Sequence, residues 1–218
     1  MQLRPARASD VPRLAALNLA AYPDLAGDGV VFEASQLATH QRVFPDGQIV
    51  AEDGGRIVGA IATLIVPGRA ALAQHTWSEI TGGGLFGTHD PSGDTLYLAD
   101  VYVDPTAWGR GVGQVLYGAL WDLCRRGRSR RVAAGGRLWG YHEVHDRMTP
   151  AAYVDEVVRG LRRDKVLTSQ LRAGFVVEGI LERYLEDWRS KSFATLLVWT
   201  NRAHARVSAQ PLPSSASR

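Results

Sequence analysis

Three glycines stand at alternate positions where an apolar run ends and an amphipathic run begins. They are Gly109, Gly111 and Gly113, within the stretch VDPTAWGRGVGQ. The first turn of a helix has backbone N–H groups without intrahelical acceptors and the positive end of the helix dipole. Glycines there let the oxygens of a ligand approach the backbone without meeting a Cβ atom. The stretch therefore suits a phosphate or pyrophosphate, and the open alternative is a tight strand-to-helix turn that binds nothing.

The strand before the glycines gives independent evidence for a ligand slot. Leu96 and Leu98 alternate in one phase, whereas Val101 and Val103 alternate in the other. One extra residue, a β-bulge around Ala99-Asp100, would produce this change of phase and splay the strand from its neighbour. A strand buried on both faces is the alternative. The glycine spacing itself matches neither a P-loop nor the full dinucleotide-binding motif.

Hydrophobic periodicity and turn residues predict the elements that position this stretch. The predicted helices cover about residues 10–22, 32–43, 111–126, 151–161 and 166–172. The predicted strands cover 2–4, 49–52, 57–66, 96–103, 131–134, 175–181 and 192–200, with a hairpin turn at 53–55 and a glycine-rich exit at 135–140. Residues 68–94 have no sustained period and predict a long lid or substrate loop. Together these elements predict one α/β (α+β) domain over 1–200 and a disordered tail over 201–218.

The composition is that of an ordinary globular protein. Of the 218 residues, 45% are hydrophobic and 22% charged, and no apolar run approaches the ~18 residues of a membrane span. The N-terminus lacks the apolar core of a signal peptide, and the single cysteine, Cys124, cannot form an internal disulfide, so we predict a cytoplasmic protein. Much of the positive charge lies in an arginine cluster at 125–131, which we interpret as a solvated helix end. We therefore predict no membrane, nucleic-acid or metal partner.

The stretch around the glycines resembles motif A of the GNAT N-acetyltransferase superfamily. The residues that carry this likeness are LADVYVDP at 98–105 and WGRGVG at 108–113. Other segments resemble the acetyltransferase domain found fused to nitrilase-type carbon–nitrogen hydrolases, namely TWSEITG at 76–82, THDP at 88–91, GGRLWGY at 135–141 and MTPAAYV at 148–154. The likeness spans about residues 1–200, and we therefore expect a stand-alone version of this domain, without the hydrolase. It implies the GNAT fold, a central mixed, mostly antiparallel sheet with a bulged, splayed strand and flanking helices.

The resemblance implies acetyl-CoA as the cofactor. The backbone of Val101 and Val103, on either side of Tyr102, would pair with the pantetheine arm. The loop residues that would hold the pyrophosphate are Trp108, Gly109, Arg110, Gly111, Val112, Gly113 and Gln114. Position 108 is usually Arg or Gln in the family, so Trp108 removes a polar contact, whereas a cradle of backbone amides survives a change of side chain.

Acyl transfer from a thioester to an amine needs a base for the proton of the amine and is helped by an acid for the leaving thiolate. The resemblance makes Asp100 the base, acting directly or through water, and a structural Asp bonded to backbone is the alternative. The family's usual acid, a Tyr four residues before the Gly-Phe of the penultimate strand, is replaced by Gln170, which cannot serve as that proton donor. The candidate substitutes are Tyr141 and His142, and then His75, His89 and Tyr184, each with an ordinary polar residue as the alternative.

The sequence thus predicts an acetyl-CoA-dependent N-acetyltransferase that acetylates a primary amine of a small molecule or a protein by direct attack. Trp77, Glu79 and His89, in the predicted lid, are the candidates for binding the acceptor, with a surface Ω-loop as the alternative. The alternative function is a catalytically silent acyl-CoA-binding or regulatory module. Cys124 lies about 20 Å along the helix from the glycines, so we interpret it as a core residue. The exposed edge of a final strand could support a homodimer.

Overall fold

A seven-stranded mixed sheet organises residues 1–25 and 30–204, the part of the chain that the computed structural model describes. Its strands are β1 (Gln2–Pro5), β2 (Gln48–Asp53), β3 (Arg56–Val66), β4 (Thr95–Val103), β5 (Arg131–Arg137), β6 (Val176–Leu181) and β7 (Ala194–Thr200). Their spatial order is β1-β2-β3-β4-β5-β7-β6, and every neighbouring pair is antiparallel except β4 with β5. The predicted mixed, mostly antiparallel sheet is confirmed.

Helices cover both faces of this sheet. They are α1 (Val11–Ala21), α2 (Ala34–Val43), α3 (Gly68–Ala71), α4 (Trp77–Thr81), α5 (Val112–Arg126), α6 (Pro150–Val158) and α7 (Leu167–Arg172). One hydrophobic core lies between the sheet and α5, α6 and α7, and a second lies between the sheet and α1, α2 and α4. The helices predicted from periodicity are present with small differences at their ends. No helix in the described ranges is long and apolar enough to cross a bilayer.

The amphipathic helix after the glycines, α5, buries most of the face that the sequence predicted. Leu116 and Leu120 are fully buried against the sheet. Val115, whose spacing of three from Val112 and four from Ala119 predicts the same face, is instead 36% exposed. The buried arc of α5 extends toward Tyr117 and Trp121, so Val115 is left at its edge. Cys124 is buried, as its interpretation as a core residue requires.

The predicted bulge is present in β4. Asp100 pairs with Ala62 of β3 and Leu98 pairs with Thr63, so Ala99 is the extra residue. On the other side of β4, the parallel ladder with β5 ends at the pair Leu98–Ala134, although both strands continue. The two strands therefore diverge immediately after the bulge, and a slot opens between them.

Residues 68–94 differ from the long loop that the sequence predicted. The segment contains the short helices α3 and α4, and Trp77, Ile80 and Phe86 are each at most 6% exposed. The ring of Phe32 contacts the ring of Trp77, with 5.5 Å between their centroids. Each of the two helices has only four or five residues, which is too short for a periodic pattern to be recognised. The segment is a packed part of the second core.

The predicted tail falls, beyond residue 204, outside the described residues. Asn201, where that prediction began, is 3% exposed, and its side-chain amide donates a hydrogen bond to the carbonyl of Ser129. Asn201 is therefore packed into the domain rather than outside it. β6 forms one edge of the sheet. A homodimer that uses this edge stays a prediction.

Candidate active site

A cavity of about 610 Å³ opens where β4 and β5 diverge. Its wall is formed by the end of β4, the glycine loop, the first turn of α5, α7 and the segments 21–25 and 184–189. The predicted site residues that line it are Trp77, Asp100, Val101, Tyr102, Val103, Trp108, Gly109, Gly111, Val112, Gly113 and Gln114. The fold thus brings the glycine loop and the bulge carboxylate into one continuous space.

Three of the other predicted residues are engaged away from this cavity. The Arg110 guanidinium, on the same loop, forms a salt bridge with Asp53. The Tyr141 hydroxyl donates to the carbonyl of Met148 at 2.8 Å. His142 packs its ring edge-on against a tryptophan of the neighbouring loop, with 4.8 Å between centroids. Because β5 runs three residues further than predicted, both Tyr141 and His142 are carried past the point where the strands diverge.

Two of the three proposed acceptor-binding residues also have structural contacts outside the cavity. The carboxylate of Glu79 accepts a hydrogen bond from the backbone amide of Thr76 at 2.8 Å and so caps α4. The Nδ1 atom of His89 accepts from the amide of Ile65 at 3.0 Å. Only Trp77 reaches the cavity, and its indole N–H donates to the carbonyl of the bulge residue Ala99 at 3.1 Å.

The glycine loop leads the chain from β4 into α5 through two left-handed residues. Asp104 begins the turn, because its carboxylate accepts from the amide of Thr106 at 2.9 Å. Gly109 and Gly111 then have φ angles of +77° and +81°. These angles lie in the region that only glycine adopts at little cost. The glycines are therefore required by the backbone itself, whatever else they do.

The first turn of α5 faces the cavity with free amides. Val112, Gly113 and Gln114 have no acceptor within the helix, as in any first turn, and the amide of Val115 is the first to pair, with the carbonyl of Gly111 at 3.1 Å. A Cβ atom built on Gly113 would meet no protein atom within 4 Å. The backbone here is thus open to a ligand, and the helix dipole favours an anion.

Trp108 closes the loop on its outer side. Its indole N–H donates to the carbonyl of Val103 at 3.1 Å, and the ammonium nitrogen of Lys165 lies 3.6 Å from the centre of its ring. Lys165 forms no salt bridge with the described residues, and partial burial lowers its pKa. A cation held on the indole therefore stands beside the glycine loop, where the sequence had indicated a lost polar contact.

The bulge residue Asp100 is held by two side chains of the α1 region. Asn18 donates its Nδ2 proton to Oδ2 of Asp100 at 2.7 Å, and the Tyr22 hydroxyl lies 2.7 Å from Oδ1. The same hydroxyl is 2.8 Å from the carbonyl of Val101, so its one proton has two acceptors. Burial in the cavity wall raises the pKa of Asp100 to about 6. The carboxylate is ionised at neutral pH and has the proton affinity of a general base.

The sequence contains a signal for these two partners of Asp100 that was missed in the prediction of the site. Asn18 is fully buried, its Oδ1 atom accepts from the amide of Phe32 at 2.7 Å and its Nδ2 atom donates to Asp100, so both ends of the side-chain amide have partners. An Asn next to Leu14 and Leu17 on the apolar stripe of α1 is unusual, because burial of an amide requires partners. The buried Asn18 and, one turn later, Tyr22 thus indicate which face of α1 packs against the bulge of β4.

A network of charges fixes the opposite wall. The buried guanidinium of Arg137 donates to both oxygens of Asp187, at 2.8 and 2.9 Å, and to Asp24 at 3.0 Å. Arg189 also donates to Asp24, at 3.1 Å. Asp24 therefore joins β5 and the loop before β7 to the segment after α1. The two arginines and two carboxylates balance in charge, which leaves Lys165 as the unpaired cation among the described residues of the wall.

Three buried side chains form a hydrogen-bonded chain that ends at the cavity. The Nε2 atom of His75 lies 2.8 Å from the Tyr97 hydroxyl, which lies 3.0 Å from the Tyr184 hydroxyl. Tyr184 lines the cavity, so one of the substitutes considered for the missing acid does reach it. Burial raises the pKa of Tyr184 above its usual value of 10. Tyr184 can thus donate a hydrogen bond but is a weak acid for full proton transfer.

Comparison with known proteins places this architecture in a family. Residues 12–145 match the model of the Acetyltransferase (GNAT) family. The chain is 32% identical over 200 residues to a Bacillus subtilis (strain 168) protein named uncharacterized N-acetyltransferase YkwB, which covers 92% of this chain and 88% of that protein. It is 33% identical over 202 residues to the probable hydrolase YhcX of the same organism, where the match covers 92% of this chain but 39% of that longer protein.

A solved structure shares most of the fold. It is described as the GphF GNAT-like decarboxylase in complex with isobutyryl-CoA. It superposes with a TM-score of 0.77 at 27% identity, over 92% of this chain and 99% of that one. The likeness to a longer protein named as a hydrolase agrees with the predicted resemblance to hydrolase-fused domains.

Proposed function

Because the chain belongs to the GNAT acetyltransferase family, we propose that it is an N-acetyltransferase that moves an acetyl group from acetyl-CoA to a primary amine. The observation that carries the proposal is the carboxylate of Asp100, with a pKa raised to about 6, in the wall of the cavity that also contains the glycine loop. The name of the relative that is 32% identical supports an amine as the acceptor.

The described wall fits the cofactor. When bound, acetyl-CoA supplies an acyl group already activated as a thioester. The free amides of Val112, Gly113 and Gln114 and the left-handed residues Gly109 and Gly111 would hold its diphosphate, since that backbone is open and carries the positive end of the α5 dipole. Lys165, on the indole of Trp108, would add the positive charge at the same end of the cavity.

The reaction needs a neutral amine nitrogen, and Asp100 is placed to remove its proton. Above about pH 6 the carboxylate is ionised and takes the proton directly or through one water. Asn18 and Tyr22 hold the carboxylate in one orientation, because each contacts a different oxygen. Gln170 supplies no acid for the leaving thiolate. A thiol with an ordinary pKa of about 8.5 can, however, leave without a strong acid.

The test is a thiol-release assay with a panel of primary amines. Acetyl-CoA should raise the Tm of the protein, and free thiol should appear in proportion to one or more of the amines. Stabilisation by acetyl-CoA without turnover across small amines, peptide N-termini and lysine peptides would instead favour a catalytically silent acyl-CoA-binding module. If acetyl-CoA does not raise the Tm and no amine causes thiol release, the proposed function is wrong.

A second candidate is the decarboxylation of a carboxylated acyl-CoA. Two observations favour it: the TM-score of 0.77 to a GNAT-like decarboxylase, and Arg189 in the cavity wall, whose guanidinium uses only Nε in its hydrogen bond to Asp24. A cation in that position can anchor a substrate carboxylate until the C–C bond breaks, CO₂ leaves and a proton adds to the carbon. Incubation with malonyl-CoA, in the absence of any amine, should then yield acetyl-CoA by mass spectrometry. Unchanged malonyl-CoA would exclude this candidate for that substrate.

A further inference from the structure

One arginine in the cavity wall has terminal nitrogens that no neighbour uses. Arg189 lines the cavity, and its guanidinium donates only its Nε proton, to Asp24 at 3.1 Å. Neither Nη1 nor Nη2 donates a hydrogen bond to the described residues. The side chain is 23% exposed, and neither nitrogen is among the buried unpartnered atoms of the described ranges, so both are accessible.

The neighbouring arginine of the same wall differs in this respect. Arg137 donates from Nε and Nη2 to the two oxygens of Asp187, and Nη2 also donates to Asp24 at 3.0 Å. Its side chain is only 10% exposed. The hydrogen bonds of Arg137 thus join elements of the fold, whereas the outer edge of the Arg189 guanidinium is left open.

Two tryptophan rings fix the position of the Arg189 guanidinium. Its central carbon lies 4.3 Å from the centre of the Trp139 ring and 4.4 Å from the centre of the Trp188 ring. Trp139 and Asp24 both line the cavity, so the group that contacts both of them lies at the cavity wall. A guanidinium held by two rings and one hydrogen bond loses little conformational freedom when it binds an anion.

The segment that holds this guanidinium also holds the base. Asp24, the partner of Arg189, follows two residues after Tyr22, whose hydroxyl lies 2.7 Å from Oδ1 of Asp100. The same cavity wall therefore presents a carboxylate that attracts an amine and a guanidinium that attracts an anion. A ligand with an amine and a carboxylate complements both charges.

We propose that Arg189 recognises acceptors that carry a carboxylate, by pairing with it through Nη1 and Nη2. The inference rests on the proposed function for the amine and for the role of Asp100. The planar fork of a guanidinium matches the two oxygens of a carboxylate. The acceptor class is then the amino acids and other amino-carboxylates, and this carboxylate belongs to the acceptor, unlike that of malonyl-CoA in the second candidate function.

A phosphate of CoA is the rival occupant of the fork. The Trp139 ring also contacts the ammonium of Lys165, at 5.3 Å from its centre, and Lys165 lies on the ring of Trp108 beside the glycine loop. A phosphate bound there would be near Arg189 as well. The experiment must therefore separate the affinity for the cofactor from the preference for the acceptor.

Paired acceptors measure the contribution of the carboxylate. Glycine, β-alanine, 4-aminobutyrate and phenylalanine are each compared with the corresponding carboxamide, by kcat/KM from thiol release. In Arg189→Met the ratio of acid to amide should fall about 10- to 100-fold for at least one pair, the effect of a charge-assisted bidentate contact. The amide itself should change less than about 3-fold. Because each pair is compared between two proteins, the difference in amine pKa between acid and amide cancels.

Two more variants separate the fork from the charge. Arg189→Lys keeps the positive charge without the planar fork and should restore only part of the ratio. Arg126→Met removes a positive charge from an exposed position on α5 outside the cavity wall and should leave the ratio unchanged. An equal change in Arg126→Met would show a general effect of net charge and would overturn the inference.

The remaining outcomes distinguish this inference from the proposed function. A merely structural role of Arg189 lowers kcat/KM for acid and amide alike, and an unchanged ratio in Arg189→Met overturns the inference. A lower affinity for CoA by titration calorimetry with the same ratio assigns the fork to a phosphate and also overturns it. If the unaltered protein acetylates uncharged amines but none of the amino acids, only the inference fails. If no amine releases thiol, the proposed function fails and the inference fails with it.

Discussion

Replacement of Asp100 by Asn should make the protein less active and more stable at the same time. The pKa of this carboxyl is raised from 3.8 to about 6, chiefly by burial, and a displacement of that size corresponds to about 3 kcal/mol. Between these two pH values the folded state binds more protons than the unfolded state, so the free energy of unfolding falls as pH rises. Above pH 6 the full cost is present, and below about 4 it is absent.

The Asn side chain can keep the observed contacts. Its oxygen can accept from Asn18, and its nitrogen can donate to the Tyr22 oxygen while the Tyr22 proton goes to the carbonyl of Val101, 2.8 Å away. Asp100→Asn should therefore gain about 1–3 kcal/mol of unfolding free energy near pH 7.5, measured by urea unfolding. The gain should shrink toward zero as the pH is lowered to about 4.

The activity should change in the opposite direction. Loss of a general base costs about 10²- to 10⁴-fold in rate, and the rise of kcat/KM through a pKa of about 6 should disappear from the pH profile. Asp122→Asn is the control, because this carboxylate is exposed on α5 and, among the described residues, pairs only with Arg125. A less stable Asp100→Asn variant at both pH values would refute the buried-charge argument, and unchanged kcat/KM would refute the role as base.

Three further predictions test other parts of the site. Gly113→Leu should still fold, because a Cβ atom there meets no protein atom within 4 Å, but it should lose CoA binding by calorimetry. Gly118→Leu is the control, because Gly118 is equally open but lies outside the cavity wall, and it should bind CoA normally. Lys165→Met should weaken CoA binding several-fold and make the affinity less sensitive to salt concentration. If the affinity of the variant and that of the unaltered protein depend equally on salt, Lys165 does not contact the phosphates. Burial raises the pKa of the Cys124 thiol to about 12, so a thiol reagent at about pH 8 should modify it only after unfolding; rapid reaction in the native protein would contradict this.

Features with a local sequence cause could be predicted well. The bulge at Ala99 shifts the phase of apolar residues within one strand, and the glycine loop combines left-handed residues with the start of an amphipathic helix. Both signals lie within residues 96–126, because local backbone geometry produces them. The resemblance to GNAT proteins added the order of elements, and the match of residues 12–145 confirmed the family.

Features that depend on tertiary placement could not be predicted. Tyr141 and His142 closely follow the glycines of β5 in sequence, but the strand extends to Arg137 and both residues lie past the cavity. Glu79 and His89 have the chemistry of binding residues, yet their polar atoms are used by the backbone of their own segment. The partners of a polar side chain depend on which elements meet, and that information is distributed over the whole chain.

The carboxylate of Asp24 also has a consequence for the order in which the molecule assembles. It joins Arg137 and Arg189, which lie 113 and 165 positions further along the chain. Contacts of such long sequence separation must overcome the entropy of closing a large loop, so they form late in folding, after local units such as the β2–β3 hairpin. We therefore expect the ion pairs of Asp24, and the part of the cavity wall that they hold, to be absent from the transition state. A ligand that binds the completed wall should therefore slow the unfolding rate and leave the folding rate almost unchanged.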